Sequence, residues 1–335
     1  MKRKTLIYCF TLWAVFLAWG LSPAMAQENR KFKVLAVFSY EETHQNTIHC
    51  KKGIEAVLGG LCEIRYFYMN TKMNFSSGPV KAKEAFALYQ EFRPDGVIAT
   101  EDDAQSMFVL PYLKDRVKTP VTFCAVNAEP EKYGYPASHI SGILERLHIR
   151  ETLSFVQQLL PSVKTVGFMM KESPVATLIS SQISKESDSY SVVSVGVRYP
   201  KTLKEALAAA DELKSSCDVL YITALPGLIG EDGRPMEEKE MYKKVINAFG
   251  KPVIGDTEYH VRLGALCAVV QRMYEQGETA AQMLLKVMQG TPVSEIPLTR
   301  NQEGRRVLNT DVLKKLGIRP RAEVLVKTEF VRSEE

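Results

Sequence analysis

The sequence predicts an α/β protein of two Rossmann-like lobes with parallel sheets, joined by a hinge that the chain crosses three times. Three observations lead there. Short runs that are apolar at every position alternate with amphipathic helical stretches, as strands covered on both faces require. The alternation begins afresh beyond Ile143. The chain, at 335 residues, is also longer than one hydrophobic core ordinarily organises.

The first residues stand apart from this pattern. Lys2, Arg3 and Lys4 precede an apolar run from Leu6 to Leu21, followed by Ser22-Pro23-Ala24-Met25-Ala26. A basic start, an apolar centre and a small-x-small end predict a secretory signal peptide cleaved after Ala26. The run is short for a spanning helix, which needs about 20 residues, and no Cys follows it to carry a lipid. The expected mature chain is therefore periplasmic. Removing the leader leaves 309 residues and lowers the formal charge from +4 to +1, because the leader holds three Lys/Arg and no Asp/Glu. No nucleic-acid surface is indicated.

The elements follow in order. Lys33–Ser39 (KVLAVFS) reads as a strand ending in a polar loop, and Asn46–Leu58 as a helix. Cys62–Met69 is a strand, Val80–Phe92 a helix and Gly96–Thr100 a strand. Glu101-Asp102-Asp103-Ala104 opens the next helix, which ends near Pro111 or turns on to Lys114; Val121–Val126 is a strand. The second unit holds a helix from Ile149 to Leu160, stopped by Pro161, and a strand Thr165–Met170. A helix into Ile183, a strand Ser191–Val197, a helix Leu203–Lys214 and a strand Asp218–Thr223 follow. Helix Glu238–Phe249 and strand Pro252–Ile254 complete it. The crossings are placed near Ile140–Leu144, Tyr259–Ala265 and Pro292–Leu298. Lobe one is then 31–142 plus 260–291, and lobe two 143–259 plus 292–335, with 299–335 a tail packed over it.

Five cysteines remain in the mature chain: Cys50, Cys62, Cys124, Cys217 and Cys267. They are scattered and odd in number, without CxxC or Cys/His ligand spacing. Buried thiols are expected; if one bridge forms, Cys50 and Cys62 are the pair that flank one helix. No metal site or cofactor is expected. The histidines His44, His49, His139, His148 and His260 show no HExxH spacing, and neither a GxSxG elbow nor a phosphate-binding loop occurs. The adjacent acids Glu101, Asp102 and Asp103 share one turn and are not the facing pair of a glycosidase. The chain is read as a non-enzyme.

A resemblance now adds to this reading. Lys251–Leu298 is similar to the closing segment of solute-binding proteins of ABC importers. Ser141-Gly142-Ile143-Leu144-Glu145, Glu151-Thr152-Leu153 and Leu159-Leu160-Pro161-Ser162-Val163-Lys164-Thr165-Val166-Gly167 resemble the hinge and helix of the TrpX-like family. Tyr133-Gly134-Tyr135-Pro136 after VTFCAVN, Ile296-Pro297-Leu298, Leu308-Asn309 and Lys315-Leu316-Gly317-Ile318 are similar to further segments of that family. The resemblance covers nearly the whole mature chain. It implies a type I periplasmic binding protein that closes two lobes on a small molecule and delivers it to an ABC permease, working as a monomer. A sensory binding protein for a membrane kinase or chemoreceptor is the alternative. Where better-known members carry a neutral Thr-Pro-Ala-Ala-Gln-type turn, this chain has Thr100-Glu101-Asp102-Asp103-Ala104-Gln105. An amino acid or amine-like ligand is expected rather than an aromatic amino acid in particular.

Ligands of open parallel sheets bind beyond the carboxyl ends of the strands. That selects Tyr40, Glu41, Thr100, Glu101, Asp102 and Asn127 from lobe one, and Ser173, Thr223, Leu225 and Asp256 from lobe two. Ser39, Glu42, Asp103, Lys171, Pro174, Ala224 and Glu258 lie on the same ends, and hinge residues Glu145 and Arg146 can reach the same space. Each has a second reading. Asp102 and Asp103 suit a helix start, Asp256 and Asn127 suit turns, and Tyr40 can close its loop instead of stacking on a ring.

Overall fold

The computed structural model describes residues 30–334, so the expected signal peptide lies outside the described residues. The chain first builds most of one parallel sheet: β1 (Phe32–Phe38), α1 (Gln45–Leu58), β2 (Cys62–Tyr68), α2 (Gly78–Phe92), β3 (Gly96–Thr100), α3 (Glu101–Ala104), β4 (Val121–Val126) and β5 (Ile140–Leu144). It continues through α4 (Ile149–Leu159), β6 (Thr165–Met169), α5 (Pro174–Glu186), β7 (Val193–Arg198), α6 (Leu203–Ser216) and β8 (Val219–Ile222). Then come α7 (Glu238–Phe249), β9 (Val253–Ile254), α8 (Glu258–Arg262) and β10 (Cys267–Gln271). It returns to the first sheet with α9 (Met273–Met288) and β11 (Thr299–Arg300), and ends in the second lobe with β12 (Gly304–Asn309), α10 (Thr310–Lys315), α11 (Ala322–Leu325) and β13 (Thr328–Val331).

The first sheet has the order β11-β5-β4-β3-β1-β2, with every pairing parallel. The second is β7-β6-β8-β9, also parallel throughout. Both are covered on two faces, as the unbroken apolar runs require. Leu35 and Val37 of β1 pack with Ala82 and Ala85 of α2, whereas Val34, Ala36 and Phe38 pack with α1 and with Ala280, Ala281 and Leu284 of α9. Each fully buried Leu, Val or Phe contributes about 1.5–3 kcal/mol, so the alternation along one strand fastens helices to both sides.

Several boundaries differ from the expected ones. Ile140–Leu144 lies wholly in the first sheet as β5, and the chain leaves it only through Glu145–His148. Strand β10, which the sequence places with lobe one, pairs antiparallel with β12, and β12 pairs with β13. The 299–335 segment is therefore more than a covering tail: it supplies two strands of a three-stranded sheet. Partners that arrive after α9 leave no local mark in β10, so periodicity cannot pair them. The third crossing follows Arg300, which still pairs with Leu144. The helix after β3 continues as a π-helical stretch, Gln105–Leu113, that holds Pro111 inside it. All five cysteines described are free and buried, and the neighbour of Cys50 is Cys124, at 3.6 Å between sulfurs, not Cys62.

The three crossings are tied to one another. Asn301, 1% exposed, accepts from Arg146 N (2.8 Å) and donates to Arg146 O (3.0 Å). His148 Nε2 lies 2.9 Å from Glu303 O and 3.0 Å from Asn301 Nδ2. At the start of α9, Glu275 Oε1 accepts from Gln302 N (2.6 Å) and Glu303 N (3.0 Å), while Gln276 donates to Leu144 O (3.3 Å) and accepts from Ala125 N (2.9 Å).

Helix α9 meets α1 backbone to backbone. A Cβ at Gly277 would stand 2.0 Å from Cys50 O, and one at Gly53 would stand 2.2 Å from Tyr274 O. Neither obstacle is a side chain that can rotate away. Gly277→Ala is expected to destabilise the protein by about 3 kcal/mol, at the upper end of ordinary overpacking. Urea unfolding followed by circular dichroism checks this, and a midpoint unchanged from wild type would show that the helices can part freely.

Candidate functional site

In both parallel sheets the strand order reverses beside the first strand, and the crevice at that reversal is where open α/β sheets hold ligands. In lobe one it opens between the ends of β1 and β3. Ser39, fully buried, closes its floor: Oγ donates to Thr100 O (2.7 Å) and accepts from Ala104 N (2.8 Å). Its own N–H donates to Glu101 Oε2 (3.2 Å), and Thr100 Oγ1 donates to the same oxygen (2.5 Å). Thr100 is thus at the site, but its hydroxyl is engaged and the residue is 0% exposed.

Glu101 has an unusual conformation. Its φ of +61° places a non-glycine residue in the left-handed region, a strained state that surrounding structure must impose. The side chain is 4% exposed, and Oε1 has no hydrogen-bond partner. Burial pushes the carboxyl up to about 8; the bonds from Thr100 and Ser39 oppose this, while Glu145 and Asp103 add to it. Glu145, at the end of β5, is held up at about 7 by burial and by Asp102, against the bond from Asn127 Nδ2 (3.1 Å) and the nearby Arg146. Tyr40 lies against the same carboxylates: burial, then Glu101, Asp103, Glu145 and Asp102, raise its phenol. Its ring tilts against His44 at 4.9 Å, with Lys72 Nζ 5.1 Å from its centroid.

Asp102 does different work from its neighbour. Its carboxylate accepts from Asn127 N (3.0 Å), Ala128 N (3.2 Å) and the Tyr133 hydroxyl (2.7 Å), fixing the loop beyond β4. That loop begins at a bulge in β4, where Ala125 has a φ of +57° and the register with β5 shifts. A bulge re-aims the chain beside a site; here it turns Asn127 toward Glu145 and Arg146, whose guanidinium donates to Asn127 O (3.0 Å). Glu41 turns away and accepts from Met73 N (2.9 Å), and Glu42 pairs with Lys51 (3.0 Å).

In lobe two the corresponding reversal lies between β6 and β8, where Lys171 N donates to Ala224 O (3.1 Å). Thr223 Oγ1 donates to Asp256 Oδ2 (2.6 Å), and Asp256 Oδ1 forms an ion pair with His260 Nδ1 (2.6 Å). Asp256 is therefore largely engaged within its own lobe. Burial alone would lower His260, but Asp256 and Glu238 outweigh it and push it up to about 9. The imidazole also stacks on Tyr242 at 4.8 Å. Ser173 caps α5 by accepting from Ala176 N (3.1 Å) and lines a groove of about 460 Å³ with Thr177, Ser180 and Tyr199. Two candidates in this lobe have side chains directed elsewhere. Leu225 is 0% exposed and packs among Met169, Ile222 and Met241, so its side chain belongs to the core. Glu258 turns to Arg262 (2.7 Å) and Arg305 (3.0 Å) instead of the strand ends. Sequence reading missed His260, although its four-residue spacing from Asp256 in a helix start was a usable signal. It also missed Glu275, Gln276 and Asn301, which carry no such signal.

The two perturbed groups bear on stability in the same direction. His260 holds its proton more tightly folded than unfolded, so its contribution is full below about 6.5 and lost as pH rises through about 9. Glu101 also holds its proton more tightly folded, so between about 4.5 and 8 the unfolded chain gives up a proton that the native state retains, and stability falls over that range. The melting temperature of the ligand-free protein is expected to fall from pH 6.5 to 9. Melts of His260→Gln and Glu101→Gln should each show a shallower slope than wild type; parallel slopes would contradict these assignments.

Comparison with known proteins agrees with this geometry. A family model described as ABC transporter substrate binding protein matches residues 112–331. The chain is 28% identical over 229 residues to a tyrosine-binding protein of Clostridioides difficile, a match covering 68% of this chain and 62% of that protein. It therefore spans less than two thirds of that relative's length. The ligand-free, open structure of a substrate binding protein with adhesive properties from Clostridium difficile superposes with a TM-score of 0.68 at 19% identity, covering 90% of this chain and 100% of the other. The ABC domain in complex with L-Trp from Streptococcus pneumoniae gives 0.58 at 17%, with coverages of 90% and 100%. At such identities these likenesses show the fold, the two-lobed arrangement of type I periplasmic binding proteins. With the family model spanning well over half of its length, the chain belongs to the ABC transporter substrate-binding proteins, a family of solute binders rather than enzymes.

Proposed function

We propose that this protein is the exported binding component of an ABC importer, capturing an amino acid or amine-like molecule between its lobes. One observation carries the reading furthest: a buried, incompletely bonded carboxyl stands at the strand-order reversal of lobe one, where a ligand would first dock. In this reading Tyr40, Glu101, Asn127 and Glu145 form the first half of the site. Ser173, Thr223 and Asp256 stand at the facing strand ends, and closure brings the halves together. The tyrosine-binding and L-Trp-bound relatives favour an amino acid as the ligand class. The acidic turn after β3 favours the ammonium end of such a molecule as the part lobe one holds.

The leader of residues 1–26, cut after Ala26, would deliver the mature chain to the periplasm as a monomer. Among the described residues no helix is long and apolar enough to cross a membrane. The partner would be an inner-membrane permease that docks on both lobes of the closed form.

In this reading closure bends the lobes about the three tied crossings, whose hydrogen bonds oppose their sliding apart. Mass spectrometry of small molecules released from natively purified protein is expected to identify a retained amine or amino acid. Small-angle scattering after adding that compound to emptied protein should then show a smaller radius of gyration. An unchanged radius at saturation would argue against hinge closure, and a retained sugar or anion against the ligand class.

A further inference from the structure

Beyond the donors Ser39 and Thr100, the titratable groups around Glu101 are acids or weak acids. Tyr40 approaches from the loop after β1, Asp103 from its own helix, Cys124 from β4 and Glu145 from the end of β5. The nearby cations are otherwise engaged. Arg146 donates to Val126 O, Asn127 O and Glu145 O and reaches Glu129, while Lys72 lies over the Tyr40 ring. Of the two Glu101 oxygens, Oε2 accepts two hydrogen bonds and Oε1 accepts none, though it is buried. A buried ionised oxygen with no donor is costly. The arrangement is therefore suited to a proton on Oε1 when the site is empty, and to a positive donor there when it is full.

We propose that Glu101 is the residue that meets the ligand's cationic nitrogen, and that seating this cation at Oε1 expels a proton from Glu101 to solvent. This rests on the substrate-binding reading and specifies its chemistry: a protonated primary amine enters, one proton leaves, and the charge of the buried site is conserved. Because its carboxyl is pushed up to about 8, Glu101 carries that proton over the neutral range, so binding at low pH works against proton release. Affinity for an amine then rises with pH up to about 8 and declines again once the free ligand loses its own ammonium proton.

Isothermal titration of emptied protein tests this with a fixed panel: the common L-amino acids, tyramine, putrescine, 3-(4-hydroxyphenyl)propionate, glucose and phosphate. Each is titrated at pH 6.5 and pH 9 in two buffers of different ionisation enthalpy, so that protons released are counted directly. The expected binder carries an amine, releases about one proton at pH 6.5 and few at pH 9. Glu101→Gln, with a cooperative melt retained, should weaken it by about 30-fold or more and abolish the release. Glu145→Gln, which removes the other raised carboxyl and one of the groups that raise Glu101, should reduce the release at pH 6.5 without abolishing it. A binding amine with no proton release in wild type overturns the proposal whatever the variants do, as does release that follows Glu145 instead. Saturable binding of only glucose, phosphate or the deaminated acid overturns it while leaving a substrate-binding protein. Absence of binding by every member rejects both the amine assignment and the amino-acid or amine reading beneath it.

Discussion

The fold depends on how three chain crossings are held together. Where the chain leaves a sheet, its backbone groups lose their ladder partners, and buried ones must be satisfied otherwise. Here side chains do it: the Asn301 amide bonds both backbone groups of Arg146, Glu275 takes the N–H groups of Gln302 and Glu303, and Gln276 takes Leu144 O with Ala125 N. Each bond joins one crossing to another or to the end of a sheet strand. The lobes are thus hung from one hydrogen-bonded junction whose register is fixed. Ion pairs beside it, Lys185 with Glu129 and Arg300 with Glu186, add contacts that can change as the angle between lobes changes.

The same economy shapes the site. Left-handed backbone at Glu101 and the bulge at Ala125 are both strained, and both occur where the first sheet ends. The first puts a carboxyl beneath the surface beside the strand reversal; the second turns the loop that carries Asn127. Ser39 holds the first by bonding Thr100, Ala104 and Glu101 together, and Asp102, next to Glu101, joins it to the second by accepting from Asn127 N and Ala128 N. Lobe two is built with the opposite charge logic. Its acid, Asp256, already has a cationic partner in His260, so its strand ends offer hydroxyls and backbone groups more readily than a bare charge.

Much of the architecture was legible because it follows from burial. β3, β4 and α7 lie where the sequence puts them, since strands covered on both faces read as unbroken apolar runs and helices as periodic ones. The placement of the candidate residues at strand ends was legible for the same reason. The division of labour within it was not. Glu101 and Asp102 are neighbours of similar chemistry, yet one is strained with an orphan oxygen and the other makes three bonds; the backbone angle that separates them leaves no mark in composition. Leu225 stands at a strand end but turns into the core, because the left-handed Ala224 before it redirects the chain. Pairing of β10 with β12 depends on a partner beyond α9, and no local pattern encodes it.

The contact of α1 with α9 at Gly53 and Gly277 has a consequence for the order in which the molecule can form. α1 has its fitting partner only after some two hundred further residues have been made, and those residues build most of the other lobe. The second lobe in turn waits for β12 and β13. A chain emerging from its amino end can therefore complete neither half early. The face of α1 that fits α9 stays uncovered until most of the chain is out, a long-range contact of the kind that raises contact order. Such a chain remains unfolded and threadable for longer than one made of two consecutive domains.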